Sequence, residues 1–221
     1  MSTAYAEPLS FSLTEADALA QKAARGAGLG WGMAEEAGFA VRWLCGYGAD
    51  GLGALLACLA AQRSMPHLAP GQVIGQGQGL LCPLHTGSVL LDSAEISDGP
   101  LAGPLQVAPL CQPLLMLPFL AQAASVLGQQ LVVAHKAGTV ALPGPAPLPV
   151  APSALCGALR LGLGAPLGPE WRGPTARVPQ GRAACDAATL AALELLALKT
   201  TVPATEASRR SGAGAGTNDN D

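Results

Sequence analysis

The feature that most constrains this chain is a long segment, residues 99–134, that contains no charged side chain. Within it, residues 109–127 are apolar enough to fill the window of a membrane-spanning helix, which needs about 20 such residues. Pro109, Pro113 and Pro118 interrupt that window, and each proline removes a backbone hydrogen-bond donor. We therefore predict a buried strand followed by a buried helix, and no membrane span.

Composition narrows the classes of partner. Charged residues make up 12% of the chain, about half of the roughly 25% usual in soluble proteins. Lys and Arg total 12 against 15 Asp and Glu, so no basic surface is available to neutralise a row of nucleic-acid phosphates. The first ten residues contain no Lys or Arg and no long apolar run, which argues against a secretory signal. We predict a cytoplasmic protein that binds neither nucleic acid nor membrane.

The cysteines and histidines do not form a recognisable metal or disulfide motif. No C-x-x-C pair occurs, and no two histidines are placed one helical turn apart. We interpret the cysteines as small buried hydrophobic residues in a reducing compartment, and we predict neither a metal nor another cofactor. The six cysteines are Cys45, Cys58, Cys82, Cys111, Cys156 and Cys185; the histidines are His67, His85 and His135.

The N-terminal region, residues 1–66, has the periodicity of short helices. Ser12 and Glu15 have the spacing of a capping box, and apolar residues recur behind them at helical spacing until a glycine-rich stretch. A second helix is predicted over residues 33–45, and a third follows Asp50. Together they predict a helical bundle.

The rest of the chain, residues 67–221, mixes strands with helices. A helix is predicted over residues 114–127, closed by Gly128, and another over residues 187–199, capped by Asp186. The fold class is α+β: an N-terminal helical bundle, a central mixed or antiparallel sheet with one or two packing helices, a C-terminal helix and a glycine-rich tail, in one compact domain. Short apolar runs between Gly and Pro predict strands at residues 73–74, 80–81, 88–91, 105–108, 131–135, 139–142, 155–163 and 175–178.

A glycine-rich stretch after two apolar residues invites comparison with dinucleotide-binding loops. Gly75, Gly77 and Gly79 are spaced G-x-G-x-G rather than G-x-G-x-x-G, and no regular βαβ unit surrounds them. We predict a turn between strands, and we keep nucleotide binding as a weaker hypothesis.

The segment around Trp31 is the first candidate site. A glycine-flexed loop presents Trp31, and we predict Glu35 and Glu36 in the first turn of the next helix, where acids complement the helix dipole. Glu35 and Arg42 are seven residues apart and fall near one helical face, with Phe39 between them. If that face turns inward, it carries an acid and a basic partner.

The C-terminal segment is the second candidate site. Hydroxyls, a glutamate and two arginines precede glycines that let backbone N–H groups approach a ligand, and arginine matches two carboxylate oxygens. The alternative is a frayed terminus. The candidate binding or catalytic residues there are Thr205, Glu206, Ser208, Arg209, Arg210, Gly214, Gly216 and Asp219.

Two sequence patterns carry a resemblance to a family. Trp31-Gly32 with Glu35-Glu36-Ala37-Gly38, and a C-terminal Pro-x-x-Glu-x-Ser-Arg, Gly-Ala-Gly-Ala-Gly and Asp-Asn-Asp signature, resemble a bacterial protein family of unknown function. The likeness covers most of the chain in order. It implies a cytoplasmic protein of about this length with a functional C-terminus, and it implies no particular reaction.

Two functional hypotheses follow. The first is a cofactor-independent hydrolase, lyase or isomerase acting on a small carboxylate-bearing metabolite: Arg209 or Arg210 anchors the carboxylate, Glu206 shuttles a proton, and Glu35 or Glu36 is the opposing acid or base. It requires the tail to fold back against the early helix. The alternative is a non-catalytic subunit or interaction protein whose tail docks on a partner, and whose apolar middle forms a homo-oligomeric or complex interface.

Overall fold

The fold combines six helices with two β-sheets in the part of the chain that the computed structural model describes, residues 9–136, 138–143, 155, 157–167 and 181–201. This α+β class agrees with the prediction from sequence. The helices are α1 (Leu13–Gly26), α2 (Trp31–Gly46), α3 (Gly51–Ala60), α4 (Pro83–Asp92), α5 (Leu117–Leu127) and α6 (Ala187–Leu198). The strands are β1 (Leu9–Phe11), β2 (Arg63–Ala69), β3 (Gln72–Gln76), β4 (Leu80–Leu81), β5 (Leu105–Val107), β6 (Gln129–His135), β7 (Gly138–Leu142), β8 (Leu159–Pro166) and β9 (Ala183–Cys185).

The larger sheet is mixed and has the strand order β4-β2-β3-β5-β8-β6-β7. Strand β2 pairs in parallel with β4, and β3 pairs in parallel with β5, whereas the other neighbours are antiparallel. The strands predicted at residues 131–135 and 139–142 form the antiparallel hairpin β6–β7, with His135 opposite Gly138. A separate antiparallel pair joins β1 to β9, so the two ends of the described chain meet.

Helices α1, α2 and α6 pack closely because small side chains line their contacts. The alanines of α1 that face its neighbours, among them Ala16, Ala20 and Ala23, are at most 1% exposed. A Cβ added at Gly26 would overlap the carbonyl oxygen of Leu196 in α6. Small residues therefore set the distance between these helix axes, as expected where backbones approach one another.

Local hydrogen bonds begin three of the helices at the residues that the sequence indicates. The Ser12 hydroxyl accepts from the Glu15 backbone N–H, and the Glu15 carboxylate accepts from the Ser12 N–H, which completes the capping box of α1. Asp50 accepts from the Gly53 N–H at α3, and Asp186 accepts from the Thr189 N–H at α6. Gly128 closes α5 with φ 67°, a left-handed conformation that suits glycine.

The charge-free segment forms the centre of the hydrophobic core. Residues 114–121 are all buried, first in a 3-10 turn (Pro113–Met116) and then in α5, and Phe119 is 0% exposed. The segment thus supplies the strand and helix that its sequence predicts, with the strand at β5. Among the described residues, no helix has the length and apolar character to cross a membrane.

The strand predicted at residues 88–91 is wrong, because these residues lie in helix α4. Pro83 stands at the first turn of α4, where its missing N–H costs nothing and its fixed φ suits a helix. Leu84 and Leu90 are buried on one side of α4, whereas Val89 and Leu91 are only partly buried. An apolar run of four residues fits the periodicity of a helix as well as that of a strand, so the sequence alone could not distinguish the two.

Some strands were missed and some predictions remain open. Strands β1, β2 and β9 lack the apolar runs on which the sequence predictions relied, and β2 carries Arg63 and His67. Helix α2 begins at Trp31, so Trp31 is helical rather than in a loop, and Glu35 and Glu36 lie beyond the first turn. The predicted strand at residues 175–178 lies outside the described residues.

Substituting Gly87 tests the contact between α4 and α5. A Cβ at Gly87 would overlap the Phe119 ring and lie 2.6 Å from its Cγ. We expect Gly87→Ala to lower the free energy of unfolding by about 1–3 kcal/mol through overpacking, measured by urea denaturation. Gly32→Ala is the matched control: no atom outside the surrounding backbone of α2 lies within 4 Å of the added Cβ, so the free energy of unfolding should rise, by at most about 0.5–1 kcal/mol. Equal effects of the two substitutions would contradict this packing.

Candidate functional site: a cleft between helices α1 and α2

A cleft of about 600 Å³ lies beside the contact between α1 and α2. Its volume falls within the range of roughly 300–1,000 Å³ that is usual for sites that bind small molecules. The cleft combines two arginines and two carboxylates with aromatic side chains. It is lined by Ser12, Leu13, Thr14, Asp17, Gln21, Glu35, Phe39, Arg42, Trp43, Gly181 and Arg182.

The α1 wall of the cleft follows from helical spacing. Thr14, Asp17 and Gln21 are placed at i, i+3 and i+7, so they share one face of α1, which borders its alanine stripe. The Gln21 amide donates to Asp17 Oδ1 at 2.8 Å. A Cβ at Gly38 of α2 would overlap Asp17 Oδ1 and would lie 2.7 Å from Gln21 Cγ. Glycine at position 38 therefore lets this pair of side chains lie directly over α2.

The α2 wall presents a carboxylate, a guanidinium group and two aromatic rings. Arg42 Nη1 lies 3.8 Å from Asp17 Oδ2, and the Arg42 side chain remains 53% exposed. An ion pair of this length and exposure contributes little to stability, about 0–1 kcal/mol, so the guanidinium can reach a ligand at low cost. Phe39 packs edge-on against Phe119 in the core, and Trp43 stacks on Tyr47 with ring centroids 4.0 Å apart. Core contacts thus hold both rings in place.

A second arginine reaches the cleft from the distant C-terminal part of the chain. Arg182 immediately precedes β9, and its Nε donates to Ser10 Oγ at 2.7 Å across the β1–β9 pair. Arg182 also lies close enough to Glu15 to help lower the pKa of that carboxyl, after the larger effects of the hydrogen bonds from Ser12. The short sheet therefore brings a cation to the start of α1.

The structure brings together two of the four N-terminal residues that the sequence singled out. Glu35 and Arg42 both line the cleft with Phe39 between them, although the ion-pair partner of Arg42 is Asp17. Both side chains are exposed at the cleft surface, so they do not form the buried pair envisaged from the sequence.

The other two N-terminal candidates lie outside this cleft lining. Trp31 is 72% exposed, and the Arg25 guanidinium packs over its ring at 4.4 Å from the centroid. Glu36 is half-buried, and burial together with the charges of Asp92 and Glu35 raises the pKa of its carboxyl.

The C-terminal candidates cannot be placed against the cleft, because they lie outside the described residues. These are Thr205, Glu206, Ser208, Arg209, Arg210, Gly214, Gly216 and Asp219. Their roles remain predictions.

Sequence reasoning missed Asp17, Gln21, Trp43 and Arg182. The i, i+3, i+7 pattern of polar residues on α1 could have indicated the first two, since it marks a polar face beside the alanine stripe. No local pattern indicates Arg182, because its position depends on the pairing of β1 with β9.

The other motifs form turns and isolated groups. Gly77 and Gly79 adopt φ 88° and 100° in the turn between β3 and β4, as the turn interpretation predicts. Within the described ranges, no group of three His, Cys, Asp or Glu side chains has an arrangement suited to a metal ion.

Comparison with known proteins supports a domain of unknown function. Residues 11–76 match a family described as Protein of unknown function (DUF3726). The match spans α1 to β3 and includes the cleft residues Asp17, Glu35 and Arg42. It does not reach the C-terminal signature, which remains a prediction together with the bacterial origin. No curated protein and no solved structure matches the chain significantly.

Substituting Glu36 tests the electrostatics beside the cleft. Because the pKa of the Glu36 carboxyl is raised in the folded chain, protonation of Glu36 favours the folded state at low pH. This contribution to the free energy of unfolding is lost as the pH rises through that pKa. We therefore expect Glu36→Gln to unfold at higher urea concentration than the parent chain at pH 7, with the difference shrinking below pH 4. Glu194→Gln, on the exposed face of α6, is the control for loss of a charge. A destabilising effect of Glu36→Gln at pH 7 would contradict this assignment.

Proposed function

We propose that the chain binds a small carboxylate-bearing metabolite in the α1–α2 cleft. The observation that carries the proposal is the convergence of Arg42 and Arg182 with Asp17 and Glu35 in one cavity of ligand size. Arginine suits a carboxylate because its planar fork donates to both oxygens. Aromatic side chains beside the charges supply an apolar surface for the rest of the ligand.

The charges of the cleft favour an amphoteric ligand. The cleft contains two guanidinium groups and two carboxylates, so a ligand with two negative charges would be attracted by the first pair and repelled by the second. A metabolite with a carboxylate at one end and an ammonium or hydroxyl group at the other matches both sets of groups. Amino acids and hydroxy acids have this chemistry, and the Phe39 and Trp43 rings accommodate an apolar side chain.

Glu35 is the group in this cleft that we propose for proton transfer. It lines the cavity from α2, seven residues before Arg42, and it is accessible to a bound molecule. A carboxylate placed beside a substrate can act as a general acid or base without a cofactor. The proposed reaction is that of a hydrolase, lyase or isomerase, and the proposed location is the cytoplasm. On the same proposal, Glu206, Arg209 and Arg210 of the C-terminal segment add a second acid and further anchors.

The alternative function is a non-catalytic subunit or interaction protein whose C-terminal tail docks on a partner. The tail lies outside the described residues, so its docking stays a prediction. The charge-free segment was expected to form an interface, yet its β5 and α5 residues are largely buried within this chain, including Leu105, Val107, Leu115 and Leu120. A homo-oligomeric state stays a prediction from the sequence. Light scattering of the full chain measures the oligomeric state directly, and this test is independent of ligand binding in the cleft.

A thermal-shift screen tests ligand binding. The full chain is heated with members of a panel of α-amino acids, α-hydroxy acids and dicarboxylates, and we expect at least one amphoteric member to raise the melting temperature. A ligand at about 100 times its Kd stabilises the folded chain by about 2.7 kcal/mol. Arg42→Gln and Arg182→Gln should each weaken binding at least tenfold, because each removes a charge-assisted contact worth about 1.5–3 kcal/mol.

The control for these substitutions is Arg160→Gln, an exposed arginine of β8. It removes the same charge outside the cleft lining, and we expect the ligand-induced shift to persist. An equal loss of binding in all three variants would show that net charge rather than the cleft determines affinity. The proposal is wrong if no member of the panel stabilises the parent chain.

A further inference from the structure

Three cysteines from separate parts of the fold converge outside the cleft. Cys58 lies near the end of α3, Cys82 precedes α4, and Cys111 follows β5. The Cys111 thiol donates to the Cys58 sulfur at 3.6 Å, and the Cys82 side chain lies beside Cys58. Cys58 and Cys82 are at most 1% exposed, whereas Cys111 is only partly buried. We call these three residues the thiol cluster.

The Cys82 side of the thiol cluster is organised to hold a thiolate. Cys82 is the N-cap of α4, where a negative charge is favoured by the helix dipole. The His85 Nδ1 lies 3.2 Å from Cys82 Sγ. The neighbouring Cys58 thiol, followed by the contact with His85, lowers the pKa of Cys82 despite its burial.

The Cys111 side has a cation beside it. Arg63 begins β2 and pairs with Leu80 of β4, while the Cys111 N–H donates to the Leu81 carbonyl on the other side of β4 at 3.1 Å. Arg63 Nη1 is buried and has no hydrogen-bond partner among the described residues. The side-chain contact with Cys58 is the largest influence on the pKa of Cys111 and lowers it, despite burial and the charge of Cys82, and the Arg63 charge acts in the same direction as Cys58. A buried guanidinium nitrogen without a partner is costly unless an anion forms beside it.

We propose that the thiol cluster is a redox site, in which hydrogen peroxide or a small organic hydroperoxide converts Cys58 and Cys111 reversibly into a disulfide. The assignment of roles follows from exposure and contact. Cys111 is the thiol that a small oxidant can reach, Cys58 is the buried thiol in contact with it, and Arg63 stabilises the Cys111 thiolate. Cys82, held by His85, is the base that receives the Cys58 proton. This site is separate from the proposed metabolite cleft and does not depend on it.

The reaction balances in two steps. The Cys111 thiolate attacks one peroxide oxygen, the O–O bond breaks, and Cys111 becomes a sulfenic acid while hydroxide leaves and takes up a proton. The Cys58 sulfur then attacks the Cys111 sulfur and its proton passes to Cys82; as the S–O bond breaks, Cys82 hands this proton to the leaving hydroxide, which departs as water and restores the Cys82 thiolate. With hydrogen peroxide, two thiols are oxidised and one peroxide is reduced overall, giving one disulfide and two waters. With an organic hydroperoxide, an alkoxide leaves in the first step, and the products are one disulfide, one alcohol and one water. A dithiol reductant reverses the change by exchange.

The competing interpretation is that the cysteines only pack as small apolar residues, as the sequence analysis predicted. That interpretation accounts for their burial. It does not account for the unpartnered Arg63 nitrogen or for the contact of a histidine with the N-cap sulfur, because neither feature serves packing.

Peptide mapping of the full chain tests the proposal. The reduced chain is treated with a slight molar excess of hydrogen peroxide, quenched in acid and digested with pepsin, which acts where thiol exchange is slow. We expect a disulfide between Cys58 and Cys111 that disappears on treatment with dithiothreitol. Peroxide that leaves both thiols open to alkylation, or that joins Cys111 to another cysteine such as Cys156, overturns the proposal.

Two variants test the roles of Cys58 and Arg63 separately, so the test does not depend on the correct folding of a single variant. Cys58→Ala should stop the reaction at a Cys111 sulfenic acid, which dimedone traps. Arg63→Gln should slow the oxidation of the Cys111 thiol by peroxide near pH 6 by about three- to tenfold, because less of the thiol is present as thiolate. Cys45→Ala, a buried cysteine outside the thiol cluster, is the control and should leave the disulfide yield unchanged. An Arg63→Gln rate equal to that of the parent chain contradicts the role given to Arg63.

Discussion

The close approach of α1 to α2 and α6 is the constraint on which the candidate site depends. Buried alanines, with Gly26 and Gly38, allow these helices to come closer than larger side chains would permit. At that separation the polar face of α1 meets the polar face of α2 along the edge of the contact, and Asp17 lies over Gly38. The cleft is therefore a consequence of helix packing: an increase in the size of residue 38 displaces its α1 wall.

Beneath this helical layer, the charge-free segment fills the core and joins the helices to the mixed sheet. Phe119 and its neighbours contact α2 and α4 while α5 packs on β6. The same junction brings the end of α3, the start of α4 and the chain after β5 together, and so produces the thiol cluster. One apolar centre thus positions two polar sites of different chemistry, a charged cleft at the surface and a set of thiols near the sheet edge.

Elements that depend on neighbouring residues could be predicted from the sequence, and those that depend on distant contacts could not. Ser12, Asp50 and Asp186 begin helices through hydrogen bonds three residues away, and Glu35 and Arg42 share a face by helical spacing alone. Arg182 reaches Ser10 across 172 residues, and no spacing rule relates Cys58 to Cys111. The strand predicted at residues 88–91 was wrong because a four-residue apolar run fits either period, and Pro83 favoured the helix.

The most direct measurement for the central claim, that the α1–α2 cleft is the ligand site, is the indole N–H signal of Trp43 in a ¹⁵N NMR titration. Trp43 lines the cleft, whereas Trp31 lies outside this lining on the same helix and serves as an internal reference. The account predicts that an amphoteric carboxylate moves the Trp43 signal in a saturable manner and leaves that of Trp31 in place. Saturable binding that moves Trp31 and leaves Trp43 unchanged would contradict it.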